Sequence, residues 1–210
     1  AACSGFVYAL AVADGLLKSG QANKALVVGA ETYSRIVDWK DRATCILFGD
    51  GAGAFVLEAS QMEKERGLLA FHLAADGGQA DILKTTGGIS TTQTSGTLYM
   101  QGKEVFRHAV AKMAESLLIA VERAGLTPPD IDWLAPHQAN ARILTAVAEK
   151  LEFPKEKVLM AMDRHANTSA ASIPLALAVA DGQGKLQPGN IIATPALGAG
   201  LTWGTCIIRW

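Results

Sequence analysis

The order of apolar segments predicts an α/β fold in which helices cover a mixed sheet. Three observations carry that prediction. Stretches with apolar residues every three or four positions alternate along the chain with short runs that are apolar at nearly every position. The continuous runs, Ala25-Leu26-Val27-Val28-Gly29-Ala30 the clearest, have the pattern of strands buried on both faces. The 210 residues are 50% hydrophobic and 19% charged, which is enough apolar chain for a core and too little charge for a disordered or coiled-coil protein.

Each element follows from its local pattern. Phe6, Leu10, Ala13, Leu16 and Leu17 recur at helical spacing, and Gly20 closes that helix. Residues 25–30 and 51–57 read as strands, with a mixed segment holding Asp41-Arg42 between them. Residues 61–67 are polar and charged, the best candidate for a linker, and 68–74 read as a third strand. Residues 76–98 are rich in Gly, Thr and Ser and read as one long loop. The clearest helix covers 101–124, where Phe106, Val110, Met113, Leu117 and Val121 lie three and four apart before Gly125 and Pro128-Pro129 stop it. A strand over 131–136 leads to His137, followed by a helix over 140–151, a strand over 158–162 and a helix over 169–180. Two last strands, 190–194 and 203–209, flank the turn Gly198-Ala199-Gly200.

Several function classes are disfavoured. Nineteen Lys and Arg against twenty Asp and Glu give a net charge of -1, so neither a nucleic-acid partner nor a membrane-surface partner is expected. No apolar run approaches the roughly 20 residues that span a bilayer. Cys3, Cys45 and Cys206 are odd in number and unpaired in spacing, which suits a reducing cytoplasmic setting. No C-x-x-C, H-E-x-x-H or G-x-S-x-G is present, so no metal is expected and the serine-hydrolase elbow is missing. Gly49-Asp50-Gly51-Ala52-Gly53-Ala54 matches a relaxed dinucleotide fingerprint, but a strand-like run follows where a helix is needed. It reads instead as a tight turn whose glycines permit close backbone packing. The sequence opens without Met and runs straight into a helical pattern, so a piece of a larger polypeptide is expected.

Three residues invite chemistry. Cys3 stands at the predicted N-terminus of the first helix, where partial positive charge favours a thiolate; the alternative is a small buried hydrophobe. His137 ends a strand and precedes a helix, and Asn167 lies in a similar connection. Such strand ends are where α/β folds place reactive groups. Cys45 and Cys206 lie in apolar runs and read as core, and His72 and His108 have no comparable setting.

At these residues the sequence resembles the β-ketoacyl-acyl carrier protein synthase III family. The matching strings are Ala-Ala-Cys-Ser-Gly-Phe at 1–6, Leu-Phe-Gly-Asp-Gly-Ala-Gly-Ala at 47–54 and Met-Gln-Gly-Lys-Glu-Val-Phe at 100–106. Further on come Pro-His-Gln-Ala-Asn-Ala-Arg at 136–142, Asp-Arg-His-Ala-Asn-Thr-Ser-Ala-Ala-Ser at 163–172 and Gly-Ala-Gly-Leu-Thr-Trp-Gly at 198–204. The resemblance implies a thiolase-like fold of two similar α/β halves in five layers, α-β-α-β-α. The first half would be incomplete here, with residues 1–60 as its remainder and 61–210 as the second half. It implies a condensing enzyme that starts bacterial type II fatty-acid synthesis, using an acyl-coenzyme A primer and malonyl-acyl carrier protein, with no cofactor. Cys3 would be acylated, and His137 and Asn167 would stabilise the enolate left when malonyl loses carbon dioxide. Backbone N–H groups of Cys3 and of the 198–200 turn would hold the oxyanion.

The same resemblance gives Arg42 and Asn140 to coenzyme A. It gives Gln138 and Arg142 to carrier-protein docking, with Arg107 and Lys150 as nearby cations, and it implies a cytoplasmic homodimer. Leu197 stands where relatives often carry Phe beside the acyl pocket, and Lys103 replaces an Asn of some relatives near the coenzyme A path. Rival readings are a ketide- or quinolone-forming condensing enzyme on the same fold and a non-catalytic partner subunit. A thiolase fits less well, because Cys206 reads as core.

Overall fold

The computed structural model describes residues 1–60 and 66–210. Most of the expected linker, 61–65, lies outside the described residues. Helix α1 (Gly5–Lys18) leads into an antiparallel pair, β1 (Lys24–Thr32) and β2 (Asp50–Glu58), with the short helix α2 (Arg42–Cys45) between them. The expected alternation of strands and helices follows. It comprises β3 (Gly67–Ala75), β4 (Leu83–Thr85), α3 (Ile89–Thr92), β5 (Leu98–Met100), α4 (Gly102–Arg123), β6 (Trp133–Leu134) and α5 (Ala141–Lys150). The chain ends with α6 (Met162–His165), α7 (Ser172–Gly182), β7 (Ile191–Ala193), β8 (Ala196–Gly198) and β9 (Thr202–Arg209).

The second sheet runs β3-β9-β7-β6, with β8 added to β9; β6 and β7 are parallel and the other pairs antiparallel. It is mixed, as the element order predicted. Strand β9 shows why the apolar runs are continuous. Successive side chains alternate between faces, and both faces are covered. Cys206 and Ile208 join Phe6, Leu10, Ile173 and Leu177 of α1 and α7. Ile207 joins Met113, Leu117, Leu144 and Val147 of α4 and α5. Helices α1 and α7 also pack on β1 and β2, so the layers run β-α-β-α. These are four of the five layers expected of a thiolase-like architecture. Gly53 makes one of these contacts possible: a Cβ there would stand 2.9 Å from the Pro174 side chain in α7.

The structure departs from the sequence reading in four places. Residues 158–162 are not a strand. Val158 forms a single bridge to Leu134, and the run is apolar because Leu159 and Ala161 are buried, not because it is laddered. Residues 76–98 are not one loop, since a 3-10 turn over Gly77–Ile82 precedes β4, which pairs with β5. The glycines of 49–54 do not form a turn; Gly51 and Gly53 lie within β2. The strand over 131–136 shrinks to Trp133–Leu134, although Ala135 N–H still donates to the Ala193 carbonyl at 2.8 Å. That bond and the next carry the chain in extended form to His137.

Cys206 is core, as read, whereas Cys45 is only half-buried. His72 is structural: its Nδ1 lies 2.9 Å from Ser116 Oγ, which accepts from Thr205 Oγ1 at 2.9 Å, joining α4 to β3 and β9.

Candidate active site

Cys3 sits in a 3-10 turn, Ala2–Ser4, that runs directly into α1. Two hydroxyls lock the turn in place. Ser4 Oγ and Thr202 Oγ1 lie 2.8 and 2.9 Å from the Ala1 carbonyl and 2.7 Å from each other. Gly198, at the end of β8, packs so closely on this turn that a Cβ would stand 2.4 Å from the Ala1 oxygen and 2.7 Å from Cys3 N. Only glycine fits there, and the Gly-rich turn therefore lies side by side with the Cys3 backbone.

His137 is buried, and its N–H donates to the Pro195 carbonyl at 2.9 Å. Its Nδ1 lies 2.7 Å from Ser172 Oγ, the first residue of α7. Asn167 is buried and held by backbone bonds to Leu47 and Gly49, each 2.9 Å. Its Oδ1 accepts from Ser169 N–H at 2.9 Å, which leaves Nδ2 as the group with donors to spare. The backbone around it is unusual, with Ala166 at φ 55 and Ser169 at φ 50, positions that non-glycine residues occupy only when their surroundings hold them.

Cys3, His137 and Asn167 come from separate segments and line one cavity of about 1180 Å³. Tyr33, just after β1, lines it as well and stacks on Phe48 with centroids 4.7 Å apart. The Ser169 hydroxyl is buried beside Cys3 without a hydrogen bond of ordinary geometry. Neither Tyr33 nor Ser169 was singled out from sequence. Ser169 falls inside a quoted motif, but nothing local marks Tyr33.

The electrostatics correct one expectation. Burial pushes the Cys3 thiol above its ordinary range; the Ser169 and Tyr33 hydroxyls oppose this and the Glu31 charge adds to it. Desolvation thus works against the thiolate that a helix N-terminus would favour. Burial, with the neighbouring Cys3, also pushes the Tyr33 phenol well up. Burial holds His137 down to about 4, against a smaller opposing effect of the Ser169 backbone. At neutral pH the site therefore pairs a thiol with a neutral imidazole, not a thiolate with an imidazolium.

The other expected site residues separate into four groups. Asn140 and Arg142 line the cavity together with Lys103 and Leu197, and Asn140 Oδ1 also caps α5 by accepting from Ile143 N–H at 3.0 Å. Arg42 is exposed in α2 next to Ala43, which lines the cavity. Arg107 is exposed and paired with Glu104 at 2.7 Å, and Lys150 is exposed at the far end of α5; neither lines the cavity. Gln138 is the clear correction. It is 1% exposed, its Nε2 donates to the Pro136 and Leu159 carbonyls at 2.8 and 3.1 Å, and its Oε1 accepts from Ala161 N–H at 2.9 Å. A side chain so enclosed and so fully bonded offers nothing to a docking partner.

Among the described residues, no group of three or more His, Cys, Asp or Glu could hold a metal ion. No described helix is long and apolar enough to cross a membrane.

Comparison with known proteins agrees with this geometry. A family model described as 3-oxoacyl-[acyl-carrier-protein (ACP)] synthase III matches residues 1–77, and the model of the C-terminal part of the same enzyme matches 121–210. The protein named beta-ketoacyl-[acyl-carrier-protein] synthase III of Erythrobacter litoralis is 57% identical over 211 residues, covering 100% of this chain and 66% of the relative. The crystal structure of 3-oxoacyl-[acyl-carrier-protein] synthase III from Aquifex aeolicus superposes with a TM-score of 0.93 at 46% identity, covering 100% of this chain and 65% of that one. The corresponding structure from Pseudomonas aeruginosa gives 0.94 at 46%, with the same coverage. The chain thus spans just under two thirds of the length of these relatives. Matches over 1–77 and 121–210, the segments that hold Cys3, His137 and Asn167, lead to one conclusion: the chain belongs to the 3-oxoacyl-[acyl-carrier-protein] synthase III family.

Proposed function

We propose that this site performs a decarboxylative Claisen condensation, joining an acyl-coenzyme A primer to malonyl-acyl carrier protein at the start of fatty-acid synthesis. The observation that carries the reading is the meeting of Cys3, His137 and Asn167 on one cavity that Arg142 and Lys103 also line. Cys3 Sγ attacks the primer thioester; the carbon–sulfur bond to coenzyme A breaks, and the thiol proton leaves with coenzyme A as its free thiol. Backbone N–H groups of Cys3 and of the adjacent 198–200 turn would hold the oxyanion. Malonyl-carrier protein then enters. Its carboxylate leaves as carbon dioxide, and the electron pair of the broken C–C bond becomes an enolate. His137 Nε2 and Asn167 Nδ2 donate to the enolate oxygen, its carbon attacks the acyl-Cys3 carbonyl, and the carbon–sulfur bond to Cys3 breaks, giving 3-oxoacyl-carrier protein and a Cys3 thiolate that takes a proton from solvent to restore the thiol.

The protein's own residues suffice for these steps, with no cofactor assigned. Arg142 and Lys103 suit the phosphates of coenzyme A and of the carrier arm, and Asn140 suits the amide-rich arm itself. Arg42, exposed next to the cavity-lining Ala43, would meet the nucleotide end. Arg107 and Lys150 are left as outlying cations of a docking face centred on Arg142. The reading includes residues 61–210 as a second thiolase-like half, and a homodimer working in the cytoplasm, where three free cysteines persist.

The test is a reconstituted assay of the full-length protein with acetyl-coenzyme A and malonyl-carrier protein, read by mass spectrometry of the carrier. A 3-oxoacyl-carrier protein supports the reading. Its absence, with active carrier protein present, overturns it.

A further inference from the structure

We infer that Ser172 is a positioning residue that fixes the proton of His137 on Nε2, making this neutral imidazole a hydrogen-bond donor into the cavity. The inference rests on the reading proposed above, in which His137 donates to the enolate.

A neutral imidazole carries one N–H, on either Nδ1 or Nε2, and the group bonded to one nitrogen decides which. Here Ser172 Oγ lies 2.7 Å from Nδ1. A serine hydroxyl has one proton and two lone pairs. One lone pair is already taken, because the backbone N–H of Gln138 donates to Ser172 Oγ at 3.2 Å. That donor cannot drift away, since the three bonds of the Gln138 side chain anchor it.

Two arrangements remain. If Nδ1–H donated to the second lone pair, the Ser172 proton would have no acceptor, because the hydroxyl's hydrogen bonds are those to His137 and Gln138. Ser172 is 1% exposed, so bulk water does not reach it to supply the missing partner. If the hydroxyl donates to Nδ1, all three polar groups are satisfied and the imidazole proton sits on Nε2. The rival partner is the Ser169 backbone, whose effect on the ring is smaller than that of burial, whereas Ser172 Oγ stands at 2.7 Å from Nδ1. Because His137 stays neutral until about pH 4, no second proton supplies the donor. The tautomer alone decides whether His137 can hold an enolate.

The two half-reactions divide accordingly. Acylation of Cys3 needs no donor at Nε2, whereas decarboxylation does.

The experiment uses the full-length protein in three forms: wild type, Ser172→Ala and Ser172→Thr. Nitrogen-15 NMR of histidine-labelled wild type should place the His137 proton on Nε2, and Ser172→Ala should give a mixture. Cys3 acylation in Ser172→Ala should stay within about twofold of wild type, while kcat for malonyl-carrier protein decarboxylation falls about tenfold with KM little changed. Threonine keeps the hydroxyl and should restore most of the rate. A wild-type proton on Nδ1 overturns the inference, as does decarboxylation in Ser172→Ala within twofold of wild type, or an equal fall in both half-reactions. Should the wild type itself fail to decarboxylate malonyl-carrier protein, the functional reading falls, and the NMR result still judges the tautomer.

Discussion

The floor and the mouth of the cavity are built on opposite plans. On the floor, Cys3, His137 and Asn167 are each at most 5% exposed and each is held by backbone bonds or close backbone packing. At the mouth, Arg42, Arg142 and the more distant Arg107 and Lys150 are exposed on helices. In a buried site, position and desolvation set the chemistry, and single atoms carry large effects. At an exposed cation, water and salt weaken every attraction, and charge acts on encounter more than on chemistry. The two regions should therefore answer mutation on different scales.

The largest effect belongs to the floor. Replacing His137 or Asn167 by Ala should slow malonyl decarboxylation by roughly 10²–10³ while leaving Cys3 open to acylation, measured as carbon dioxide release against the acyl-enzyme mass. If neither replacement slows decarboxylation, the floor does not stabilise the enolate.

A second prediction uses the depressed pKa of His137. Unfolded histidine binds a proton below about 6.5 and folded His137 only below about 4, so between those values the unfolded state holds more protons. Stability therefore rises with pH across that window and is lost as pH falls through it, by up to about 3 kcal/mol from this group. In urea titrations wild type should lose stability relative to His137→Gln between pH 7 and pH 4.5. Parallel curves would mean that His137 is not desolvated as described.

The smallest effect belongs to the mouth. Arg142→Glu should raise the KM for malonyl-carrier protein by roughly fivefold at low salt, less at high salt, with kcat little changed. Arg107→Glu and Lys150→Glu should do less, because neither residue lines the cavity and Arg107 is already paired with Glu104. An equal effect from all three would move the docking face away from Arg142.

The same contrast explains what could be read from sequence. The α/β class, helix α4 and the strand-end placement of His137 were legible, because periodicity and chain order are local, whereas Asn167 follows the short helix α6 and not the strand expected over 158–162. Gln138 was misplaced on the surface because its neighbours in the chain face the cavity mouth. Only the fold shows that its amide turns inward to Leu159 and Ala161, more than twenty residues away. The run 158–162 looked like a strand because apolar character reports burial, whether or not a ladder forms. The protonation state of Cys3 was missed for a related reason. The helix N-terminus is visible in the chain, but the desolvation that overrides it comes with segments that carry Tyr33 and Ser169. Ser172 stood inside a quoted motif, and its role emerged only once Nδ1 of His137 was seen beside it.

The account's central claim is that the buried Cys3 thiol is the group that carries the acyl chain. The direct measurement is intact-mass and peptide mapping of the full-length protein after exposure to acetyl-coenzyme A, from pH 6 to pH 10. The account predicts one acetyl group per chain, confined to the peptide bearing Cys3 and absent from Cys3→Ala. It also predicts an acylation rate still rising near pH 9, because burial holds the thiol protonated beyond its ordinary range. An adduct on Cys45 or Cys206, or an acetyl group retained by Cys3→Ala, would contradict it.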